Sequence, residues 1–212
     1  MCTVRFLHIS HIYLCLYDSI AGIICNPENA DAFSIFCSII KQFPAIFNTL
    51  DGDSRRKLGV VGTGRTDVQG DNELLTVFAP TDKAFGRLVL PEDIEIMDFG
   101  ALKTKEERIV AMKIVNNHIF GMFKSFNDLE CNDMIRMRNG QQTQTRCYTN
   151  ARSVIKKFQI GSASSAFGED KDNAVLSSKA AKIIGMDVRA SNGILQAVNN
   201  VVIPDLEGYV TR

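Results

Sequence analysis

Leu74-Leu75-Thr76-Val77-Phe78-Ala79-Pro80-Thr81-Asp82-Lys83-Ala84-Phe85 is the stretch whose reading decides the fold. Leu74 to Phe78 is apolar or β-branched, which suits a buried strand. Pro80 has no backbone donor and ends any central ladder. Thr81 and Asp82 are oxygen-bearing residues suited to the free amides of a new helix, and the Asp82 charge suits its positive end. Phe85 follows one helical turn later and can fold back onto the core. The chain is therefore expected to make a strand, a corner and a helix start, with Phe78 and Phe85 inside.

On the N-terminal side, Asn29 or Asp31 can cap a helix that buries Phe33, Phe36, Cys37 and Ile40, the spacing of one helical stripe. Phe43 to Leu50 continues as a second short helix with Pro44 in its first turn. Residues 51–72 turn to Gly, Asp, Arg and Lys and read as a surface loop. On the C-terminal side, Thr104 and Glu107 have capping-box spacing. Ile109, Met112, Val115 and Ile119 supply the expected buried side of that helix. Past Gly121 the period shifts toward two, and Asn139-Gly140 and Asn192-Gly193 signal two hairpins. Helices first and strands last predict an α+β fold.

Composition bounds function. Of 212 residues, 45% are hydrophobic and 23% charged, with a formal net charge of +0. That is globular chemistry without a general pull toward nucleic acid. No stretch is long and apolar enough for a membrane span. The first seventeen residues are an N-terminal extension or a weakly signal-like segment, and no Asn-x-Ser/Thr sequon follows. None of the six cysteines form a Cys-x-x-Cys pair. Cys131 and Cys147 flank the first hairpin. A three-residue loop at Arg138-Asn139-Gly140 sets them opposite each other, and a two-residue loop offsets them by one; a disulfide and two free cysteines both remain open.

Gly59 to Thr66 lies one residue from a phosphate-binding loop, but Asp67, Gly70, Asp71 and Asn72 follow where a helix would be needed. His8, His11 and Cys15 share a face only if that segment is helical, and no fourth ligand accompanies them. His118 ends the Thr104 helix, where a cation meets the negative end of the dipole. Arg136, Arg138, Arg146, Arg152, Lys156 and Lys157 make the strand region locally basic, a solvated face or a weak polyanion contact. No nucleophile elbow or His-Glu-x-x-His occurs. An enzyme, a cofactor and a metal are not expected.

Thr76 to Phe85 resembles the first motif of fasciclin (FAS1) domains almost residue for residue. Ala190-Ser191-Asn192-Gly193-Ile194-Leu195, continuing to Val201-Val202-Ile203-Pro204, resembles the second, and Asn117-His118-Ile119-Phe120-Gly121 the central Tyr-His stretch. The resemblance spans Asp18 to Leu206, with polar insertions near 51–72 and 151–173 and a tail at 207–212. It implies a single fasciclin-like α+β domain, a β-wedge of two sheets packed with an N-terminal helical cluster. It makes Thr76, Phe78, Pro80, Thr81, Asp82, Phe85, Asn192 and Gly193 structural motif residues. It also implies adhesion: an extracellular or cell-surface module that binds a matrix protein, cell-surface protein or glycan, with weak homo-oligomerisation. Carriage of a small apolar ligand such as a carotenoid is the alternative. By motif position the binding residues are Asn117, His118, Asp187 and Val188. Here Asn117 replaces the family's tyrosine, Val188 its isoleucine and Gln196 its histidine, so adhesion is expected without the family's integrin pattern.

Overall fold

The computed structural model describes residues 18–52, 74–92, 94–163 and 180–206 in full, and the backbone alone of two strands in the N-terminal segment. Those strands, β1 (Cys2–Leu7) and β2 (Ser10–Cys15), pair antiparallel with Cys2 opposite Cys15. The Gly59–Thr66 stretch, most of the 51–72 insertion, residues 164–173 of the second insertion and the 207–212 tail lie outside the described residues.

Four helices precede and follow the first core strand. They are α1 (Ile20–Ile24), α2 (Ala30–Lys41), α3 (Pro44–Asp51) and α4 (Asp82–Phe85). The fifth, α5 (Lys105–Asn116), starts at Thr104 in a complete capping box, with Thr104 Oγ1 accepting from Glu107 N and Glu107 Oε2 accepting from Thr104 N. The backbone amides of Thr104 and Lys103, both donating to Oε2, hold the Glu107 carboxyl below the usual carboxylate range. Its buried side is Val110, Ala111, Ile114 and Val115, while Met112 stands exposed, so the stripe lies about one residue from the expected one. Apolar residues occupy both 109/112 and 110/111/114, and the helix rolls toward the set that meets α2.

The strands are β3 (Leu75–Pro80), β4 (Ile119–Phe120), β5 (Met134–Arg136), β6 (Gln142–Thr149), β7 (Ile155–Gly161), β8 (Ala181–Ala190) and β9 (Gly193–Val198). They run β4-β3-β9-β8-β7-β6-β5, with only β3 and β9 parallel. The expected two sheets are joined through β8, which pairs with β7 at its start and with β9 from Ile183 to Ala190, across two irregularities around Gly185. Bulges sharpen local twist, and here they fold one sheet into a wedge. Arg138 N donates to Ile119 O at 2.9 Å, drawing the two edge strands together.

Alternation along β3 and β9 divides the core in two. Val77, Ala79, Leu195 and Ala197 face the helices with Phe33, Phe36, Ile40 and Val188. Phe78 and Val198 face the inside of the wedge with Leu129, Ile135, Met137, Ile183 and Val202. The expected interior positions of Phe78 and Phe85 are thus in different halves.

Three local expectations change in the folded chain. Thr81 stands at the start of α4 but makes no side-chain cap bond. Asp82 does not cap its own helix: it accepts from Ser34 N (3.1 Å), Ser34 Oγ (2.6 Å) and Ile35 N (2.8 Å). Phe33 breaks α2 with φ −134° and ψ 19°, so the helix restarts at Ser34 with orphan amides, and Asp82 caps that restart from outside. In the second hairpin, Ala190 pairs with Gly193, so the turn is Ser191-Asn192 rather than Asn192-Gly193. Asn192 turns inward, accepting from Ile20 N (2.8 Å) and donating to Leu50 O (2.7 Å), which joins α1 to α3. Gly193 sits at φ +152° with Leu75 O where a Cβ would project, so only glycine fits beside β3.

Candidate functional site

Residues 121–133 form a strap without regular structure beyond β4, lying over the inner face of the wedge. Its apolar contribution is Leu129, buried with Phe78, Ile135 and Met137 and flanked by the half-buried Phe126. Apolar area this small does not order thirteen residues by itself. Polar groups supply the rest. Thr76 Oγ1 donates to Met122 O and accepts from Lys124 N, each at 2.7 Å. Asp187 Oδ1 accepts from Phe126 N at 2.7 Å. Lys157 Nζ donates to Phe126 O and Leu129 O at 2.6 Å and to Asn127 O at 3.4 Å, and lies 4.8 Å from the Phe126 ring centroid. Lys124 pairs with Asp133 at 2.6 Å, and Ser125 donates its amide and hydroxyl to Asp128. Those Ser125 bonds hold the Asp128 carboxyl below its ordinary range.

Cys131 is bonded to Cys147 of β6, with Cα atoms 5.4 Å apart. The first hairpin has the three-residue loop: Met137 N donates to Gln141 O, Gly140 N to Met137 O, and Gly140 takes φ +85°. The ladder register therefore sets Cys131 opposite Cys147. A second disulfide, Cys25–Cys37, ties the end of α1 to α2.

The expected binding residues part company here. Asn117, His118 and Val188 are buried, and so are out of a partner's reach. Val188 packs among the helices. Asn117 Nδ2 donates to Val202 O and its Oδ1 accepts from Asn139 Nδ2, both at 2.9 Å. His118 is no cation at a helix end. Val202 N donates to its Nε2 at 2.9 Å, so Nδ1 carries the proton and donates to Ile114 O at 2.7 Å. Burial lowers its pKa to about 4, against the Ile114 carbonyl, which raises it. Asp187 is half-buried in the β8 bulge at φ +56°. Besides Phe126 it binds Gln196, whose Nε2 donates to Asp187 Oδ1 at 2.8 Å and whose Oε1 accepts from Asp187 N at 3.0 Å. Gln196 thus acts where the family resemblance leads to histidine.

The basic cluster divides likewise. Arg146 is buried against Gln144 and Asn132 (3.1 and 2.9 Å), and Lys157 is 7% exposed under the strap, while Arg136, Arg138 and Arg152 face solvent. Burial pushes the Lys157 pKa down, with Asp128, Asp187 and Glu130 opposing. Sequence reasoning missed Lys157 as an anchor because strand parity alone does not say which of Lys156 and Lys157 points inward.

At one end the strap shows apolar side chains to solvent, Met122 at 62% and Phe123 at 39% exposure, with Met186, beside Asp187, at 46%; farther along it exposes Asn127, Asp128, Glu130 and Asn132. Elsewhere, a cleft of about 480 Å³ opens between α2, α4 and residues 88–100, lined by Ile35, Phe85, Leu88, Leu90, Ile94 and Phe99 among others. Among the described residues no three His, Cys, Asp or Glu side chains gather as a metal site. No helix among them is long and apolar enough to cross a membrane.

The fold is α+β: a helical cluster against a nearly closed seven-stranded wedge whose β3 and β9 run parallel. The family model of the fasciclin domain matches residues 58–204, and the chain belongs to that family. Among solved structures it is similar to a FAS1 domain pair from the insect cell adhesion molecule fasciclin I, at TM-score 0.55 and 12% identity, over 99% of this chain and 68% of that one. Comparison with curated proteins found no match.

Proposed function

We propose that this chain is a non-enzymatic interaction module of a cell surface or extracellular matrix, binding a protein or glycan partner. Fasciclin domains occur in extracellular and cell-surface proteins and are commonly linked to adhesion, which supports the setting. The observation that carries the reading is the strap: Thr76, Asp187, Lys157 and a disulfide anchor it, and it presents Met122 and Phe123 outward. A pre-ordered surface loses little conformational entropy on binding, and methionine with an aromatic is an adaptable contact pair. Asp187 serves this surface by anchoring it, with its carboxylate on Phe126 and Gln196. Beads coated with the protein test the reading. Adhesion to cells or matrix should fall at least tenfold with Met122→Asp plus Phe123→Asp, while the thermal transition stays put. Unchanged adhesion in that folded variant refutes it.

A second reading, carriage of a small apolar ligand, is favoured by the apolar cleft at Phe85 and Phe99, whose rings lie 5.2 Å apart. Its volume falls within the range of small-molecule sites. Visible absorbance of protein purified from its native source decides: a carotenoid-like band supports carriage, and a bare protein spectrum opposes it.

A further inference from the structure

The chain leaves β9 at Val198 and continues through residues 199–206 without strand structure, yet Val201, Val202 and Leu206 are buried. A buried segment outside a ladder still needs partners for its backbone. Val202 finds both in the Asn117-His118 dipeptide: its N–H goes to His118 Nε2 and its carbonyl accepts from Asn117 Nδ2. Asn117 is itself held by Asn139 of the first hairpin. Other ties on the segment include Asn199 N to Lys182 O (3.1 Å), Lys182 N to Asn199 Oδ1 (2.8 Å), Asn200 Nδ2 to Ala180 O (3.0 Å), Asp205 N to Gln141 Oε1 (2.7 Å) and Ser162 Oγ (3.0 Å), and Gln141 Nε2 to Asp205 O (2.8 Å). Amides and hydroxyls do not titrate near neutrality. His118 is the group in this set that does.

The imidazole has no spare nitrogen. Nδ1–H is committed to Ile114 O, and the Nε2 lone pair is the acceptor for Val202 N–H. A second proton can go only to Nε2, where it would face another donor. α5 offers the ring the Ile114 carbonyl and Asn117, α2 offers the Phe36 ring at 6.0 Å, and the 199–206 segment offers a backbone N–H. No carboxylate or other charged side chain contributes to its proton affinity. Nothing in that set accepts the new N–H.

We propose that His118 is an acid-sensitive latch: protonation of Nε2 ejects Val202 N–H and releases residues 199–206 from α5, uncovering Val201, Val202 and Leu206. The sign follows from burial. In the released segment the imidazole takes its proton near the ordinary 6.5, whereas in the latched one it waits until about 4. Release therefore takes up one proton within that window, and the released population rises about tenfold for each unit that pH falls. Above about 6.5 the latch is closed and pH-independent.

Amide exchange of the full chain, corrected for intrinsic rates, tests this between pH 7 and 4.5. Opening of 199–206 should rise about tenfold per unit below 6.5 while α2 amides stay protected. His118→Gln, which keeps an acceptor but does not titrate, should flatten that rise. If 199–206 and α2 open together, or if His118→Gln shows the wild-type slope, the latch is refuted. Should the variant fail to fold, NMR of the wild type suffices: the Val202 amide and the His118 ring must titrate with one midpoint. A Val202 amide that ignores ring protonation overturns the proposal.

Discussion

The same sheet is sealed differently on its two faces. On the helix face, α1, α2, α3 and α5 lay Ile20, Phe33, Phe36, Ile40, Ile114 and others against Val77, Ala79 and Leu195. On the inner face a strap with no helix covers Phe78 and Val198 mainly through Leu129, and depends on Thr76, Lys157, Asp187 and a disulfide. Helices satisfy their own backbones and can seal by shape and apolar area alone. An irregular segment cannot, so each buried carbonyl and amide needs a side chain sent to meet it. The second kind of cover also carries two outward-facing apolar side chains, Met122 and Phe123.

Four variants break or sharpen that contrast. Phe36→Ala should cost the most, about 4 kcal/mol, because a large buried ring is lost without room for collapse. Urea unfolding by far-UV signal measures it, and a cost under about 1 kcal/mol would deny the helix face its apolar character. Next comes Cys131→Ser with Cys147→Ser, which opens a loop of sequence separation 16 and should cost about 3 kcal/mol. The loss should appear as faster proteolysis within 121–133 ahead of any change in α2.

Lys157→Met keeps the stem but strips three strap carbonyls of their donor, for about 2 kcal/mol. Exchange of the Phe126 amide should speed up more than that of Ile40. Equal acceleration would mean that the two faces open as one. Smallest is Thr104→Ala, about 1 kcal/mol for a lost cap, and it should leave strap proteolysis unchanged.

Much of the architecture was legible. The strand, corner and helix of Leu74–Phe85, the Thr104–Glu107 box, the Phe33–Ile40 stripe and a hairpin at Asn139-Gly140 all stand in the fold, and of the two loop lengths open there the fold takes the three-residue one. The candidate site was less so. Motif position marks Asp187 as a contact, and in the fold its carboxylate anchors the strap; it marks Asn117 and His118 for a surface, and both are buried against Val202. Sequence groups Lys157 with a basic, solvated face, although the strap closes over it.

The Thr104–Glu107 capping box and the Phe33–Ile40 stripe were settled by the sequence because they depend on residues within about two helical turns of one another. Tertiary structure alone decided that Asp82 caps a helix 48 residues earlier, that Asn192 reaches Ile20 across 172, and that His118 holds Val202 across 84. It also chose which of two apolar stripes α5 buries, because the choice belongs to the neighbour. A side chain that serves a distant backbone leaves no periodic trace: its partner is any residue's N–H or C=O, and sequence does not mark which one is left unpaired.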